Sequence, residues 1–255
     1  MRNLIAANWK MHKTRAEARD LARALADALA AAPASPSAEV VLFPPFTAFE
    51  AVREGLGEAK IGFGGQDVYP AESGAFTGEI SPGMLLDAGC SWVLTGHSER
   101  RHILGESSVL VGEKTAFALK QGLCVILCVG ESLAEREAGR LEDVLQAQLA
   151  DGLANVPAEA VSRLAVAYEP VWAIGTGKVA SAEDIAAAHA FVRSRLNALP
   201  GTEAGQSVRI LYGGSVKPEN AAGILALDNV DGLLVGGASL QAETFLRIIR
   251  AGQTA

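Results

Sequence analysis

The 255-residue chain is short of several things, and each shortage closes a class of function. Its three cysteines, Cys90, Cys124 and Cys128, are an odd number in a long chain, which argues against a disulfide framework. None of its four histidines, His12, His97, His102 and His189, stands at ligand spacing to those thiols, so a zinc site lacks donors and no metal is expected. The cysteines read as packed core residues, with Cys124 and Cys128 on one face of a strand in the run CVILCVG. Long apolar runs are missing too. The start, MRNLIAANWK, has only a five-residue apolar stretch, too short for a signal h-region, and nothing approaches bilayer length. A cytoplasmic protein with no membrane partner is the expectation. Basic residues are outnumbered, 22 to 29, giving a net charge of -7 that would repel a nucleic-acid backbone. An anionic small molecule would therefore need local donors. No linker, charge block or low-complexity tract divides the chain, so residues 1–255 are expected to form one domain.

What is present is alternation. Short apolar runs recur at Leu4–Trp9, Val40–Phe43, Ile61–Gly64, Trp92–Thr95, Cys124–Val129, Leu164–Tyr168, Arg209–Tyr212 and Gly232–Val235. Segments of helical spacing separate them: in Ala16–Ala32, Leu21, Leu25, Ala28 and Leu29 share one stripe while Arg19, Arg23 and Asp27 share another. Ser181, followed by Glu183 and Asp184, marks a helix start, and Pro200-Gly201 its stop. Runs this short and apolar suit strands buried on both faces of a parallel sheet with right-handed crossovers. An open doubly wound sheet shares that pattern. Eight repeats of roughly thirty residues favour the closed alternative, an α/β fold of the (β/α)8 barrel type.

In either architecture, reactive side chains belong at the carboxyl ends of the strands. Asn8 and Lys10 follow the first run, His97 and Glu99 the fourth, Glu169 the sixth, Gly213–Ser215 the seventh and Gly236-Gly237 the eighth. Any one of them could be an ordinary polar strand end; their convergence on one rim is harder to dismiss. Glycine lets a backbone approach an anion and turn its N–H groups toward it. Taken singly, Gly175-Thr176-Gly177, Gly213-Gly214 and Gly236-Gly237 could be turns, yet the last two sit where barrels recurrently bind phosphate. A Walker A reading of Gly177-Lys178 fails, because Trp172 and Val179 stand where glycine and a hydroxyl residue are required. A carboxylate base, an imidazole electrophile, a fixed cation and a phosphate cradle together suit proton abstraction beside a carbonyl, with no cofactor. Ser98 lacks the nucleophile-elbow context of a serine hydrolase.

Four motifs then tie the chain to a family. Gly74-Ala75-Phe76-Thr77-Gly78-Glu79-Ile80-Ser81, Gly96-His97-Ser98-Glu99-Arg100-Arg101, the run from Ala167 through Glu169-Pro170-Val171-Trp172 to Lys178, and Tyr212-Gly213-Gly214-Ser215 closely resemble the triosephosphate isomerase family, in order and over nearly the whole chain. The resemblance implies interconversion of dihydroxyacetone phosphate and glyceraldehyde 3-phosphate, in glycolysis and gluconeogenesis, through an enediolate. It implies Glu169 as the base, with His97 as a neutral electrophile kept so by a helix N-terminus, a tuning that is the family's known property rather than a deduction from these residues. Lys10 would stabilise the enediolate oxygen and the phosphate, Asn8 would donate to substrate, and Glu99 would hold Lys10. Backbone N–H groups of Gly175, Ser215, Gly236 and Gly237 would carry the phosphate, under a lid formed by Pro170–Ala180. A homodimer is implied through the loop Asp67 to Ser81, with Thr77 beside the partner's Asn8 and Glu99 and Glu79 beside its Arg100. Two departures stand out: Val179 occupies a hinge position where many members carry threonine, and His12-Lys13 replaces a frequent asparagine-glycine. A different phosphate-binding barrel enzyme, an epimerase or lyase, shares fold and cradle but not Lys10, His97 and Glu169 with this lid sequence. A non-catalytic scaffold would be expected to have lost one of those three.

Overall fold

The computed structural model describes residues 2–31, 38–174, 178–199 and 203–252. Eight parallel strands close on themselves in chain order: β1 Leu4–Asn8, β2 Glu39–Phe43, β3 Gly62–Gly65, β4 Trp92–Thr95, β5 Cys124–Val129, β6 Leu164–Tyr168, β7 Arg209–Tyr212 and β8 Gly232–Val235. The eight apolar runs read from the sequence are these strands, five of them with identical bounds. The helices described are α1 Arg15–Ala30, α2 Phe49–Leu56, α3 Pro82–Asp87, α4 Ser98–His102, α5 Ser108–Lys120, α6 Leu133–Glu137, α7 Leu141–Leu153, α8 Ala182–Asn197, α9 Pro218–Leu225 and α10 Ala242–Ala251.

The first of them starts at Arg15 because Thr14 caps it, in a reciprocal capping box with Glu17. Its buried stripe is Ala18, Leu21, Ala22, Leu25 and Ala26, with Ala28 and Leu29 only half-covered, so the expected face is rotated slightly toward the N-terminus. Ser181 caps α8 in a box with Asp184, as its sequence indicates, whereas the Pro200-Gly201 stop lies outside the described residues.

Alternation along each strand sorts side chains into two cores. Ile5, Ala7, Val125, Leu127, Val166, Tyr168, Ile210 and Tyr212 face the helices. Leu4, Ala6, Val41, Phe43, Trp92, Leu94, Ile126, Cys128, Ala165, Ala167, Leu211 and Leu234 fill the barrel interior, with Cys124 packed against them. The two-residue period continues past the apolar layers, so the next inward positions are Asn8 on β1 and Glu169, Gly213 and Gly236 beyond the ends of β6, β7 and β8. The barrel's packing thus selects which side chains reach its carboxyl-terminal mouth.

Candidate active site

That mouth holds a cavity of about 390 Å³ lined by Asn8, Lys10, His97, Glu169, Gly213–Lys217 and Gly236–Ala238, with His12 and Ile174 also on its wall. The sequence-expected residues therefore meet in one place, with one exception: Gly175 falls in residues 175–177, outside those described. Glu99 sits just behind the cavity, its carboxylate 2.7 Å from the Lys10 ammonium.

Glu169 arrives by strand register, while His97 needs a break in it. Trp92 and Leu94 point inward, which would send residue 97 outward. Gly96 has φ +67, a conformation that turns the chain and that L side chains avoid, and a Cβ there would stand 2.6 Å from the Arg101 guanidinium. The turn brings the ring of His97 into the cavity at the start of α4. There the backbone N–H of Glu99 donates to Nδ1 at 3.3 Å. A nitrogen that accepts carries no proton, so the ring's hydrogen sits on Nε2, 3.1 Å from Glu169 Oε1. The other carboxylate oxygen accepts from the backbone N–H of Ser98 at 2.9 Å. Ser98, discounted as a nucleophile, contributes through its main chain.

Glu169 is buried, which pushes its pKa up, but the neighbouring His97 and the Ser98 N–H, with Lys10 beyond, hold it below the usual carboxylate range. Burial likewise disfavours a charged His97, but the Glu169 carboxylate, together with the Glu99 carboxylate 3.5 Å from Nδ1, outweighs it, so the ring is pulled upward in this arrangement. The upward pull comes chiefly from the Glu169 contact and weakens wherever that carboxylate moves away. Gly213 makes room for this base: a Cβ at that position would lie 2.9 Å from Glu169 Cγ.

Lys10 has a left-handed backbone, φ 51, uncommon for a residue with a side chain and costing roughly 1 kcal/mol or more. Local bonds hold it there. Its N–H donates to Asn8 Oδ1 at 3.0 Å, and Gln66 Nε2 donates to the Lys10 carbonyl at 2.8 Å and to the Phe43 carbonyl at 2.9 Å. Gln66 was not singled out from the sequence, although it directly follows β3 on the same rim and the strand-end rule reaches it. Arg101, the last residue of the Gly96–Arg101 motif, has no role that the sequence assigns. It donates to the carbonyls of Gly96 and Cys128 and to the Ser108 hydroxyl, tying the ends of β4 and β5 to α5 beneath the base.

On the far wall, Ser215 precedes α9, and Gly236-Gly237 opens a short 3-10 turn, Gly237–Leu240. A Cβ on Gly236 would lie 3.6 Å from Lys10 Cε, so the cation borders the glycine cradle as well as the acid-base pair. Exposed Lys217 adds a second cation at the rim. Among the described residues, no three His, Cys, Asp or Glu side chains are grouped to hold a metal ion, and no helix is long and apolar enough to cross a membrane.

With this geometry in place, comparison with known proteins is specific. The family model described as triosephosphate isomerase matches residues 3–252. A protein of Nitratidesulfovibrio vulgaris strain Miyazaki F, named triosephosphate isomerase, is 63% identical over 98% of this chain and 100% of its own length. Proteins of the same name from Lawsonia intracellularis and Roseiflexus sp. are 56% and 47% identical, covering 99% and 96% of both chains.

Proposed function

The chain belongs to the triosephosphate isomerase family, and from that premise we propose that it interconverts dihydroxyacetone phosphate and D-glyceraldehyde 3-phosphate by a proton shuttled on Glu169. The observation that carries this reading is a buried carboxylate 3.1 Å from a histidine N–H, in a cavity that also holds an ammonium and a glycine-lined wall. Glu169 takes a proton from the carbon beside the carbonyl; the C–H pair becomes the C=C bond, and the carbonyl pair moves onto oxygen. The Nε2–H of His97, Lys10 and Asn8 stabilise that oxygen where its charge develops. The proton of the neighbouring hydroxyl then passes to this oxygen, the pair it leaves re-forms a carbonyl there, and the C=C pair takes the proton back from Glu169 at the other carbon, giving the isomer. As Glu169 turns from His97 toward substrate, the contact that raises the ring's basicity is lost, leaving a neutral donor backed by the Glu99 N–H.

The phosphate rests on backbone N–H groups of Ser215, Gly236 and Gly237, with Gly175 of the lid Pro170–Ala180 as a fourth donor; the lid tip lies outside the described residues. A lid matters chemically, because the electron pair of an enediolate can form a C=C bond to the carbon bearing the phosphate ester, whose C–O bond breaks with its pair leaving on phosphate, and the enol left behind tautomerises to methylglyoxal.

We also read the chain as a cytoplasmic homodimer. The loops after β1, β2, β3 and β4, neighbours around the barrel, expose Met11, Phe46, Phe76 and Ile103-Leu104, a run of apolar side chains along one side of the mouth. The Asp67–Ser81 loop among them is folded back on itself, with Tyr69 N–H bonded to the Ile80 carbonyl at 2.8 Å and the Tyr69 and Phe76 rings 4.3 Å apart. Two-fold burial of this side would make each site depend on assembly.

The deciding experiment couples isomerisation of dihydroxyacetone phosphate to a dehydrogenase acting on the aldehyde. Rapid turnover without added metal or cofactor is expected. A purified, folded protein with no turnover would overturn the proposal.

A further inference from the structure

Arg136 lies on α6, outside the cavity, and no step proposed above uses it. Its surroundings are unusual. One guanidinium nitrogen pairs with Asp184, the third residue of α8 and the capping-box partner of Ser181. Another is 3.8 Å from Glu131 Oε1, on a carboxylate with no solvent exposure. The plane's centre stands 5.7 Å from the centroid of the Trp172 ring, within cation–π range. Glu131 Oε1 itself accepts from Trp172 Nε1 at 2.8 Å and from the Tyr168 hydroxyl at 3.1 Å. Burial pushes the Glu131 carboxyl up, and these donors together with Arg136 oppose that shift.

These contacts fall at both ends of one segment. Trp172 stands two residues past Pro170, at the near end of Pro170–Ala180, and Tyr168 directly precedes the base. Asp184 and Ser181 open the helix that begins where the segment ends. We infer that Arg136 is a positioning residue that clamps both ends of the Pro170–Ala180 segment against α6, setting where Trp172 rests and thus how that segment meets the bound phosphate. A guanidinium suits this role because one flat group can pair at its edge and stack on a ring at its face, which a lysine ammonium cannot do. The α6 helix is itself fixed, by a capping box between Ser132 and Glu135.

The inference rests on the isomerase reading, and its test separates the two. Parent, Arg136→Met, Arg136→Lys, Asp184→Asn and the double variant Arg136→Met/Asp184→Asn are assayed with dihydroxyacetone phosphate for turnover and for inorganic phosphate released per turnover. Thermal unfolding is followed in parallel. If the parent does not isomerise, the functional reading fails first. If it does, Arg136→Met should lose about tenfold in kcat/KM, as expected for removing one half-buried ion pair and its ring contact, and its share of released phosphate should rise. Arg136→Lys should recover part of the loss, Asp184→Asn should reproduce it, and the double variant should be no worse than Arg136→Met. A mere loss of stability cannot change the ratio of elimination to isomerisation in the molecules that remain folded. Should Arg136→Met fail to fold, Asp184→Asn and Arg136→Lys carry the test. An unchanged phosphate share in every folded variant, or fully additive losses in the double variant, would overturn the clamp.

Discussion

The two ends of the barrel are built from the same eight strands and are treated in opposite ways. At the amino-terminal end, the first residues of β2, β4 and β7 close on one another: Arg209 pairs with Glu39 at 2.6 Å and lies 5.5 Å from the Trp92 ring centroid. Charge there is matched and capped by an aromatic face, above the apolar layers of Leu4, Ile126 and Leu211. At the carboxyl-terminal end the chain places a left-handed lysine, a buried carboxylate against a histidine and glycine-lined turns around an open cavity. One end closes over its own groups; at the other, the Lys10–Glu99 and His97–Glu169 pairs border an open cavity. A left-handed lysine beside a buried carboxylate–histidine pair is the physical mark of a site.

The contrast breaks most visibly under substitution of the base. Glu169→Gln should lower kcat roughly a thousandfold or more, about 4 kcal/mol of barrier, while stability in urea falls by only about 1–2 kcal/mol, since the amide keeps the shape but not the charge that His97 and the Ser98 N–H favour. At the opposite end Trp92→Ala should do the reverse, costing about 3–5 kcal/mol of stability yet leaving kcat of the folded protein within about twofold. Urea titration and steady-state kinetics on both variants would reveal any crossover. A fall in kcat for Trp92→Ala matching its fall in stability would mean the ends are not separable.

Lys10 tests strain and chemistry together. Lys10→Ala should worsen KM and kcat at once, by roughly a hundredfold in kcat/KM, since the cation serves both phosphate and oxyanion. An unchanged KM would remove the first of those roles. Lys10→Gly should be equally inactive but more stable than Lys10→Ala by about 1 kcal/mol, because only glycine takes φ 51 freely.

Most of the fold was legible because strand alternation is a local signal: the inward series through Leu4 and Ala6 to Asn8, and through Ala165 and Ala167 to Glu169, can be followed in the sequence by counting in twos. His97 could be placed on the rim but its direction could not, since that depends on the turn at Gly96. The roles of Gln66, Arg101 and Arg136 are not legible in the sequence, for a common reason. Each acts on backbone carbonyls or on residues 23 to 56 positions away, and a single sequence carries no pattern for such pairs. Thr14, a cap four residues before the buried stripe, starts the first helix at Arg15, one residue ahead of the segment read from its spacing.

An effect smaller than the losses of activity at Glu169 and Lys10 lies on the barrel wall, away from both ends. His189 on α8 is fully buried, with Nδ1 2.9 Å from the Asn229 carbonyl and its ring edge-on to Tyr168, and burial lowers its pKa to about 4 from an ordinary 6.5. The unfolded chain therefore binds this proton more readily, so the neutral ring's full contribution is present above pH 6.5 and is lost as pH falls toward 4. By pH 5 that loss should reach about 2 kcal/mol relative to pH 7.5, and His189→Gln should flatten it. Urea unfolding of parent and variant at both pH values reads the difference directly.

The central claim, that Glu169 moves a carbon-bound proton at the mouth of this barrel, is tested most directly by running the isomerisation of dihydroxyacetone phosphate in deuterium oxide and reading the aldehyde product by NMR. A proton held on a carboxylate can exchange with solvent, so product carrying deuterium at C2 is predicted for the parent, with both turnover and incorporation collapsing in Glu169→Gln. Product formed with no deuterium at all, or a Glu169→Gln variant that incorporates it at the parent's rate, would contradict the account.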